Sequence, residues 1–360
     1  MARLIKALVL TGAAFSLIAT GISPAHAQGA AAAGSAVAVD NTASEAATGI
    51  VNTSAGARST AKYWTKARMA AATPEPGRAV TAQTLEATPP VINRLPGISA
   101  APAKPKKSTA AKTDGGGVRP LVGSGAALWT PHGQMPALST GKIYFTRTDG
   151  SGGYCSGSVI TASNLNTVWT AGHCINAGNG GGYFSNFSFV PDTDNGSAPW
   201  GTWSWKYANT TVGWQNNGDW RYDVAAIAFW SNGFNLQSRV GAQGYRFNFG
   251  QVFSVTDFGY PQSGYNRTDF PANGSKLYYC SGTTYRKSSS NDMLGLSCDM
   301  HHGASGGPWL TDLASWGGGY IVGAYSSRDV NSSGTPINIE ARSANHGDGA
   351  INVYNDVSVR

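Results

Sequence analysis

Residues 303–309 have the sequence GASGGPW, which places Ser305 among glycines. Glycine allows a tight backbone turn and lets a substrate approach the chain closely. In such a turn the backbone N–H groups of Gly303 and Ser305 can point at negative charge that develops on a carbonyl oxygen. The chain contains 47 glycines, so this motif taken alone is weak.

Two further stretches supply a base and a carboxylate. Residues 168–174, VWTAGHC, are a strand-like run that ends in small residues and presents His173 next to Cys174. With an unperturbed pKa near 6.5, an imidazole can take and return a proton at neutral pH. Residues 222–228, YDVAAIA, put Asp223 directly before an almost wholly apolar strand. A buried carboxylate needs a hydrogen-bond donor, and a histidine N–H is a suitable one.

Together, the three stretches resemble the chymotrypsin-like serine peptidases. His173, Asp223 and Ser305 follow in that order with spacings of 50 and 82 residues. In that family the histidine follows Thr-Ala-Ala/Gly and precedes Cys, the aspartate opens an apolar strand, and the serine lies in Gly-x-Ser-Gly-Gly-Pro. The resemblance covers roughly residues 125–360 and is nearest to the secreted bacterial, V8-like branch that includes glutamyl endopeptidases.

This resemblance implies an all-β fold of two six-stranded antiparallel β-barrels with the active site in the cleft between them. It implies that Ser305 is the nucleophile, that His173 is the general base and later the acid, and that Asp223 orients the imidazole. The N–H groups of Gly303 and Ser305 would form the oxyanion hole. Protein or peptide substrates, a monomer and no metal or other cofactor are expected.

The substrate pocket is less clearly predicted. Asp299 lies six residues before Ser305, where trypsin-like members carry the carboxylate that recognises Arg or Lys; a solvated loop aspartate is the alternative. Tyr325 and Ser326 match the strand that pairs with substrate and lines the pocket. Glutamyl-specific relatives have a histidine on that strand, so its absence here counts against glutamate.

Two other positions near the serine differ from family members or invite a role. Mammalian-type members have an aspartate directly before the nucleophile, which receives the new N-terminal amine on activation. This chain has Ala304 there, so activation through that ion pair is excluded. His301 and His302 could line the entrance of the cleft, but we expect them to be exposed.

Four cysteines, Cys155, Cys174, Cys280 and Cys298, are an even number, which in an oxidising compartment suggests two disulfides. Three pairings are possible, and we favour the sequence-local pairs Cys155–Cys174 and Cys280–Cys298. Each would close a loop of about 20 residues and stabilise the fold by about 3 kcal/mol. The family resemblance implies the first pair as well. No Cys-x-x-Cys pair is present, which disfavours a zinc site.

The N-terminus has the pattern of a secretory signal peptide over residues 1–27. Arg3 and Lys6 are followed by a short apolar run, residues 7–20, and small residues occupy the cleavage positions of the Ala-His-Ala sequence at 25–27. The run is too short to span a bilayer, which requires roughly 20 residues. We therefore expect a secreted, extracellular protein with no membrane segment after signal cleavage.

Residues 28–119 differ from the rest of the chain in being rich in Ala, Thr, Ser and Pro and poor in aromatics. By itself such a segment buries too little apolar surface to offset the entropy of ordering. It could be a flexible spacer or a removable pro-segment; we favour the latter, with a cut near Arg119 and a peptidase domain over residues 120–360.

Charge is distributed unevenly between these parts. Residues 1–119 contain 13 basic and 5 acidic side chains, whereas residues 120–360 contain 13 basic and 14 acidic ones. The net charge of +7 therefore comes from the N-terminal segment. The globular part lacks the basic excess of a nucleic-acid-binding protein, so no nucleic-acid partner is expected.

From about residue 125 the chain consists of short apolar runs separated by Gly, Asn and Ser, typical of a β-barrel or a pair of sandwiches. Helical periodicity is found only weakly at the C-terminus. The predicted strands are residues 143–145, 157–160, 167–170, 184–190, 224–230, 277–279 and 320–325.

Two rival functions belong to other classes. A serine esterase of the α/β-hydrolase type could use Ser305 with the later Asp329 and His346, but its nucleophile needs a strand–turn–helix context. A non-catalytic secreted β-domain that binds glycans or cell wall could use tryptophans of residues 200–205 as a stacking platform. Alternating aromatics are more often the packed face of a strand, which disfavours this.

Overall fold

The structure is a computed structural model that describes residues 42–75, 91–106, 123–288 and 291–360. The predicted signal peptide, residues 1–27, and the predicted cut near Arg119 lie outside these ranges. Within the described residues, no helix has the length and apolar character needed to cross a membrane.

Most of the secondary structure is β. The strands are β1 (Ile50–Val51), β2 (Thr73–Pro74), β3 (Ile98–Ala100), β4 (Gly123–Leu128), β5 (Thr140–Thr146), β6 (Gly152–Val159), β7 (Thr167–Thr170), β8 (Ser185–Pro191), β9 (Trp203–Thr210), β10 (Ala225–Phe229), β11 (Gly244–Phe247), β12 (Ser254–Gly259), β13 (Tyr278–Thr283), β14 (Tyr285–Arg286), β15 (Leu294–Ser297), β16 (Pro308–Thr311), β17 (Tyr320–Ala324) and β18 (Glu340–Ser343). The helices are α1 (Ser54–Tyr63), α2 (Lys66–Ala71), α3 (Val212–Asn217), α4 (Leu236–Val240) and α5 (Asp348–Val357).

The first barrel closes through six strands. The order is β9-β10-β7-β6-β5-β8, and β8 pairs back with β9. Its interior is filled by apolar side chains that include Ile143, Phe145, Val168 and Phe189, all of which are fully buried. β10 is buried along its whole length because one of its faces points into this core and the other points towards the second barrel.

The second barrel also has six positions around its ring. β13 continues across Thr284 into β14, which pairs with β15, and β15 pairs with β18. A bridge between Ser327 and Arg342 connects β18 to the chain after β17, and β16 and β12 complete the ring. The predicted all-β fold of two barrels is therefore confirmed.

Several finer predictions are also confirmed. Every predicted strand overlaps an observed one, and the weak helical periodicity at the C-terminus corresponds to α5. Both sequence-local disulfides are present, Cys155–Cys174 and Cys280–Cys298. Trp203 and Trp205 face the core of the first barrel, as expected for the packed side of a strand.

Two parts of the N-terminal segment, residues 42–75 and 91–106, are more ordered than their composition suggests. Residues 42–75 pack on the first barrel, where β1 pairs with β9 and β2 pairs with β6. Residues 91–106 pack on the second, where β3 pairs with β11. The composition of the segment reflects only its own apolar area and not the apolar barrel surface against which these residues pack. The domain boundaries at residues 27 and 119 stay predictions.

Candidate active site

His173 lies in a single turn of 3₁₀ helix that directly follows β7. The disulfide between Cys174 and Cys155 attaches this turn to β6. Gly172 is required before the histidine because a Cβ there would lie 2.8 Å from the ring of Trp214 and 2.9 Å from Oδ1 of Asp223. Gly172 and the disulfide together fix the position of the His173 backbone, and so the point from which its side chain extends.

Asp223 is fully buried two residues before β10 begins and binds His173 twice. Its Oδ1 accepts the backbone N–H of His173 at 2.7 Å, and its Oδ2 lies 2.8 Å from Nδ1 of the ring. The Ser326 hydroxyl donates to the same Oδ2 at 2.5 Å. Because Nδ1 faces a carboxylate, it bears a proton, and Nε2 is the nitrogen left to act as a base when the ring is neutral.

Ser305 lies in a loop between β15 and β16 that is bonded to both barrels. Its carbonyl accepts the N–H of Ser156 in β6 at 2.7 Å, and Gly306 N–H donates to the carbonyl of Tyr325 at 2.7 Å. Gly306 has φ +77°, and a Cβ at this position would lie 2.0 Å from Oγ1 of Thr170. The glycine therefore allows the serine loop to approach the end of β7, three residues before His173.

The backbone around the serine leaves two N–H groups available. The N–H groups of Ala304, Gly306 and Gly307 all donate to carbonyls. Within the described parts of the chain, the N–H groups of Gly303 and Ser305 have no acceptor. Gly303 has φ +95°, and a Cβ there would lie 2.4 Å from the carbonyl of Tyr260, so no other residue fits this turn. Such free, fixed donors are suited to an oxyanion.

The imidazole of His173 has its outer nitrogen unused. Nε2 is buried and has no hydrogen-bond partner among the described residues, Ser305 included. Hydrogen bonds between a base and a nucleophile commonly tighten only when substrate binds, so this geometry is compatible with proton transfer. His173 and Ser305 are only 4% and 5% exposed.

Burial and Asp223 act on the pKa of His173 in opposite directions. Burial lowers this pKa because it disfavours the charged ring, but the charge and the hydrogen bond of Asp223 raise it, and the charge of Glu75 adds to the increase. The net pKa is raised above 6.5. The site therefore stabilises the imidazolium that would form when the ring accepts a proton.

Asp299 is already paired. Its Oδ1 accepts the N–H of Ala126 at 2.7 Å, and its Oδ2 lies 2.9 Å from the guanidinium of Arg267. Neither alternative from the sequence describes this arrangement, because the side chain is buried and its charge is compensated. A carboxylate with a resident arginine is poorly suited to bind a basic substrate side chain.

Tyr325 and Ser326 are directed into the protein. The Tyr325 hydroxyl donates to the carbonyl of Met300, while the Ser326 hydroxyl binds Asp223. Arg328, which no motif in the sequence singled out, is 2% exposed and donates to Tyr325 Oη at 3.1 Å and to the carbonyls of Cys298 and Asn338. Its signal was a lone arginine two residues after Ser326.

The expectation that His301 and His302 are exposed is wrong. His301 is 7% exposed and His302 is half-buried, with their ring centroids 3.8 Å apart. Burial lowers the pKa of both rings, and the charge of Arg328 lowers them further. Their polar character suggested exposure to solvent. The loop that contains them is bonded to both barrels, and this leaves His301 buried and His302 half-buried.

Two clusters among the described residues have the composition of metal ligands, Cys155 with His173 and Cys174, and Cys280 with Cys298 and Asp299. In both clusters the cysteine sulfurs are joined in disulfides and offer no thiolate. Each cluster is then left with one ordinary ligand, too few for a metal site.

The arrangement does not fit the esterase alternative. Asp329 is bound to Arg342, and His346 accepts a hydrogen bond from Trp169 Nε1 at 2.8 Å. Ser305 is followed by β16 and not by a helix, so the strand–turn–helix context of that class is missing.

Comparisons with solved structures give consistent results. The chain is similar to the protease Anisep from Arthrobacter nicotinovorans, with a TM-score of 0.56 and 34% identity over 65% of this chain and 100% of that one. A thermostable serine protease, AL20, from an extremophilic microorganism has a TM-score of 0.55 and 30% identity over 62% of this chain and 98% of that one. A Glu endopeptidase, at 21% identity and a TM-score of 0.52 over 67% of this chain and 99% of that one, shares the fold.

Sequence comparisons add less. No family model matches the chain. An extracellular metalloprotease of Bacillus subtilis (strain 168) is 36% identical over 92 residues, which is 26% of this chain. The match spans about a quarter of that curated relative, 27% of its length.

Proposed function

Since this chain belongs to the chymotrypsin-like serine proteases, we propose that it is a secreted serine endopeptidase whose nucleophile is Ser305. The observation that supports this most directly is the pair of contacts between Asp223 and His173, which leaves Nε2 of a buried imidazole without a partner among the described residues. Two disulfides are consistent with an oxidising, extracellular location.

In the proposed mechanism, Nε2 of His173 takes the proton of the Ser305 hydroxyl as Oγ attacks the carbonyl carbon of the scissile bond. The resulting oxyanion accepts hydrogen bonds from the free N–H groups of Gly303 and Ser305. The imidazolium then donates its proton to the leaving amine, the C–N bond breaks, and an acyl-enzyme ester forms. Water, deprotonated by the same Nε2, hydrolyses this ester and regenerates the serine.

A serine-directed fluorophosphonate tests this proposal. We expect the wild type to be labelled and the Ser305→Ala and His173→Ala variants to remain unlabelled. The matched controls are Ser188→Ala, in β8, and His132→Ala, whose ring binds Asp192; both should label like the wild type. A folded wild type that stays unlabelled both at full length and after N-terminal processing would contradict the proposal.

The surroundings of Arg328 favour a substrate with an acidic side chain at the cleaved residue. Arg328 is buried beside Tyr325 and Cys298, and its hydrogen-bond partners within the described residues are uncharged oxygens. Burial raises the pKa of the nearby Asp257 well above its usual value against the opposing charge of Arg328, which favours the neutral acid. Among the described residues no carboxylate forms an ion pair with Arg328, so an acidic side chain at the cleaved residue would pair with its guanidinium.

Peptides that differ only in the residue before the cleaved bond test this preference. We expect Glu to be hydrolysed at least about tenfold faster in kcat/KM than Gln, and Lys to be slower than either. The Arg328→Met variant should lose the Glu/Gln ratio, while Arg246→Met, at an exposed ion pair with Asp312, should keep it. Preference for Lys in the wild type would reverse the assignment.

A further inference from the structure

The chain before residue 76 reaches the candidate active site as an extra strand. Thr73 and Pro74 form β2, which pairs in parallel with Gly153 and Tyr154 of β6. The N–H of Glu75 continues this ladder to the carbonyl of Tyr154 at 3.0 Å. The next residues of β6 are those that hold the site, because Cys155 is disulfide-bonded beside His173 and Ser156 binds the serine loop.

Arg147 fastens this extra strand. Its Nε lies 2.6 Å from Oε2 of Glu75, and its Nη2 donates to the carbonyls of Thr73 and Pro74 at 3.1 and 3.0 Å. The side chains of Arg147 and Glu75 are 13% and 15% exposed. A partly buried guanidinium that binds a carboxylate and two successive carbonyls recognises an extended acidic segment and not just a charge.

The residues before this strand are anchored to the same barrel. Trp64 is buried against Tyr144 and Tyr154, and its Nε1 donates to the carbonyl of Asn186 at 2.5 Å. Thr53 and Thr65 cap α1 and α2 by accepting backbone N–H groups. Both helices are too short to be stable alone in water, so their order depends on the barrel surface.

Glu75 also reaches the catalytic residues. Its charge raises the pKa of the His173 ring. With this segment in place, His173 and Ser305 are almost inaccessible. The segment pairs with β6 at Tyr154, and two residues further along the same strand the N–H of Ser156 donates to the carbonyl of Ser305.

We propose that the edge of β6 and Arg147 form a binding site for an extended acidic peptide segment, and that residues 66–75 of this chain fill it and exclude substrate. The exclusion of substrate rests on the proposed peptidase function, whereas the occupancy of the site does not. Glu75 is the selective element, because Thr73 and Pro74 are bound mainly through backbone atoms.

Hydrogen–deuterium exchange tests occupancy without any need for turnover. In a full-length Ser305→Ala background, the amide of Glu75 should be protected. The Glu75→Gln and Arg147→Gln variants should exchange it at least about tenfold faster. The matched controls, Glu45→Gln and Arg58→Gln, change exposed charges elsewhere within residues 42–75 and should leave the exchange of the Glu75 amide unchanged. Equal protection in all five proteins would overturn the assignment of the site.

Hydrolysis of a short peptide by the full-length protein tests exclusion. In the active background, Glu75→Gln and Arg147→Gln should raise the initial rate several-fold, and the two control variants should not. If exchange shows release of the segment but the rate does not rise, the segment occupies the site without blocking substrate. If no form hydrolyses peptide, even after residues 42–75 are removed, the peptidase function fails while the exchange result still decides occupancy.

Discussion

The regions around His173 and His346 each contain a buried histidine close to β7, yet the two rings have opposite properties. His346 accepts a hydrogen bond from Trp169 of β7 at Nε2 and donates from Nδ1 to the carbonyl of Ala344 at 3.0 Å. Both nitrogens are used, no carboxylate of the described residues bonds to the ring, and burial lowers its pKa to about 4. His173, just after β7, has a carboxylate at Nδ1, and its Nε2 has no hydrogen-bond partner in the part of the chain that the structure describes.

The difference shows that burial alone does not make a histidine a base. In both regions burial disfavours the charged ring, and at His173 the carboxylate of Asp223 reverses the effect. A ring that must accept a proton needs a partner for the resulting charge and one unused nitrogen. His346 has neither and serves to pack Trp169 against α5 and the second barrel.

The largest expected effect is on kcat, which should depend strongly on His173 and hardly on His346. His173→Ala and Ser305→Ala should each lower kcat by about 10⁴ to 10⁶, and the double variant should lose little more, because the two side chains act as one unit. His346→Gln should change kcat by no more than a few-fold. Steady-state kinetics on one peptide substrate measures all four, and a comparable loss in His346→Gln would break the comparison.

Asp223→Asn should lower kcat by about 10⁴, since an amide at this position neither fixes the tautomer nor stabilises the imidazolium. The residual activity should have its acid limb at lower pH than the wild type, because the pKa of His173 loses the increase that Asp223 supplies. The pH profile of kcat/KM measures this. An acid limb at the same pH as in the wild type would show that Asp223 does not raise the pKa of His173.

The pH dependence of the free energy of unfolding should reflect the lowered pKa of His346. Its pKa is about 4 in the folded protein and about 6.5 unfolded, so between these values only the unfolded chain binds the proton. The free energy of unfolding should therefore fall by up to about 3 kcal/mol as the pH drops from 6.5 to 4.

Denaturant unfolding at several pH values tests this, with His346→Gln expected to flatten that part of the curve. His173 should act in the opposite sense. Because its folded pKa is raised, it stabilises the fold below pH 6.5, and this contribution disappears as the pH rises through the folded pKa. If the free energy of unfolding of His346→Gln falls as steeply with decreasing pH as that of the wild type, groups other than His346 cause the loss.

The smallest effect concerns Glu75. Its charge contributes to the raised pKa of His173, so Glu75→Gln should move the acid limb of kcat/KM to lower pH, by less than Asp223→Asn does. Glu45→Gln is the control of equal charge. A shift of the acid limb in both variants would show that the change in net charge of the protein causes it, and not the position of Glu75 near His173.

Much of the fold and site could be predicted from the sequence. The strands are short apolar runs between turn residues, and the disulfide partners are near neighbours in the chain, so both are local properties. The residues of the candidate triad could be named because each lies in a short motif with a physical reason for its composition. Their order along the chain then indicated the family.

The pairing of charges could not be predicted. Asp299 and Arg267 are 32 residues apart, and Glu75 and Arg147 are 72 apart, with nothing in the intervening sequence that links them. For the same reason the composition of residues 28–119 suggested weak order, although 42–75 and 91–106 fold on the barrels.

The sequence by itself determined which local structures form and which side chains have the chemistry, because turns, strand periodicity and reactive groups are properties of neighbouring residues. The tertiary structure alone decided which histidine meets a carboxylate, which carboxylate is neutralised by an arginine, and which edge of β6 is covered. Those outcomes depend on distances of 2.5 to 3 Å between groups that the chain separates by tens of residues, and only the closed barrels set such distances.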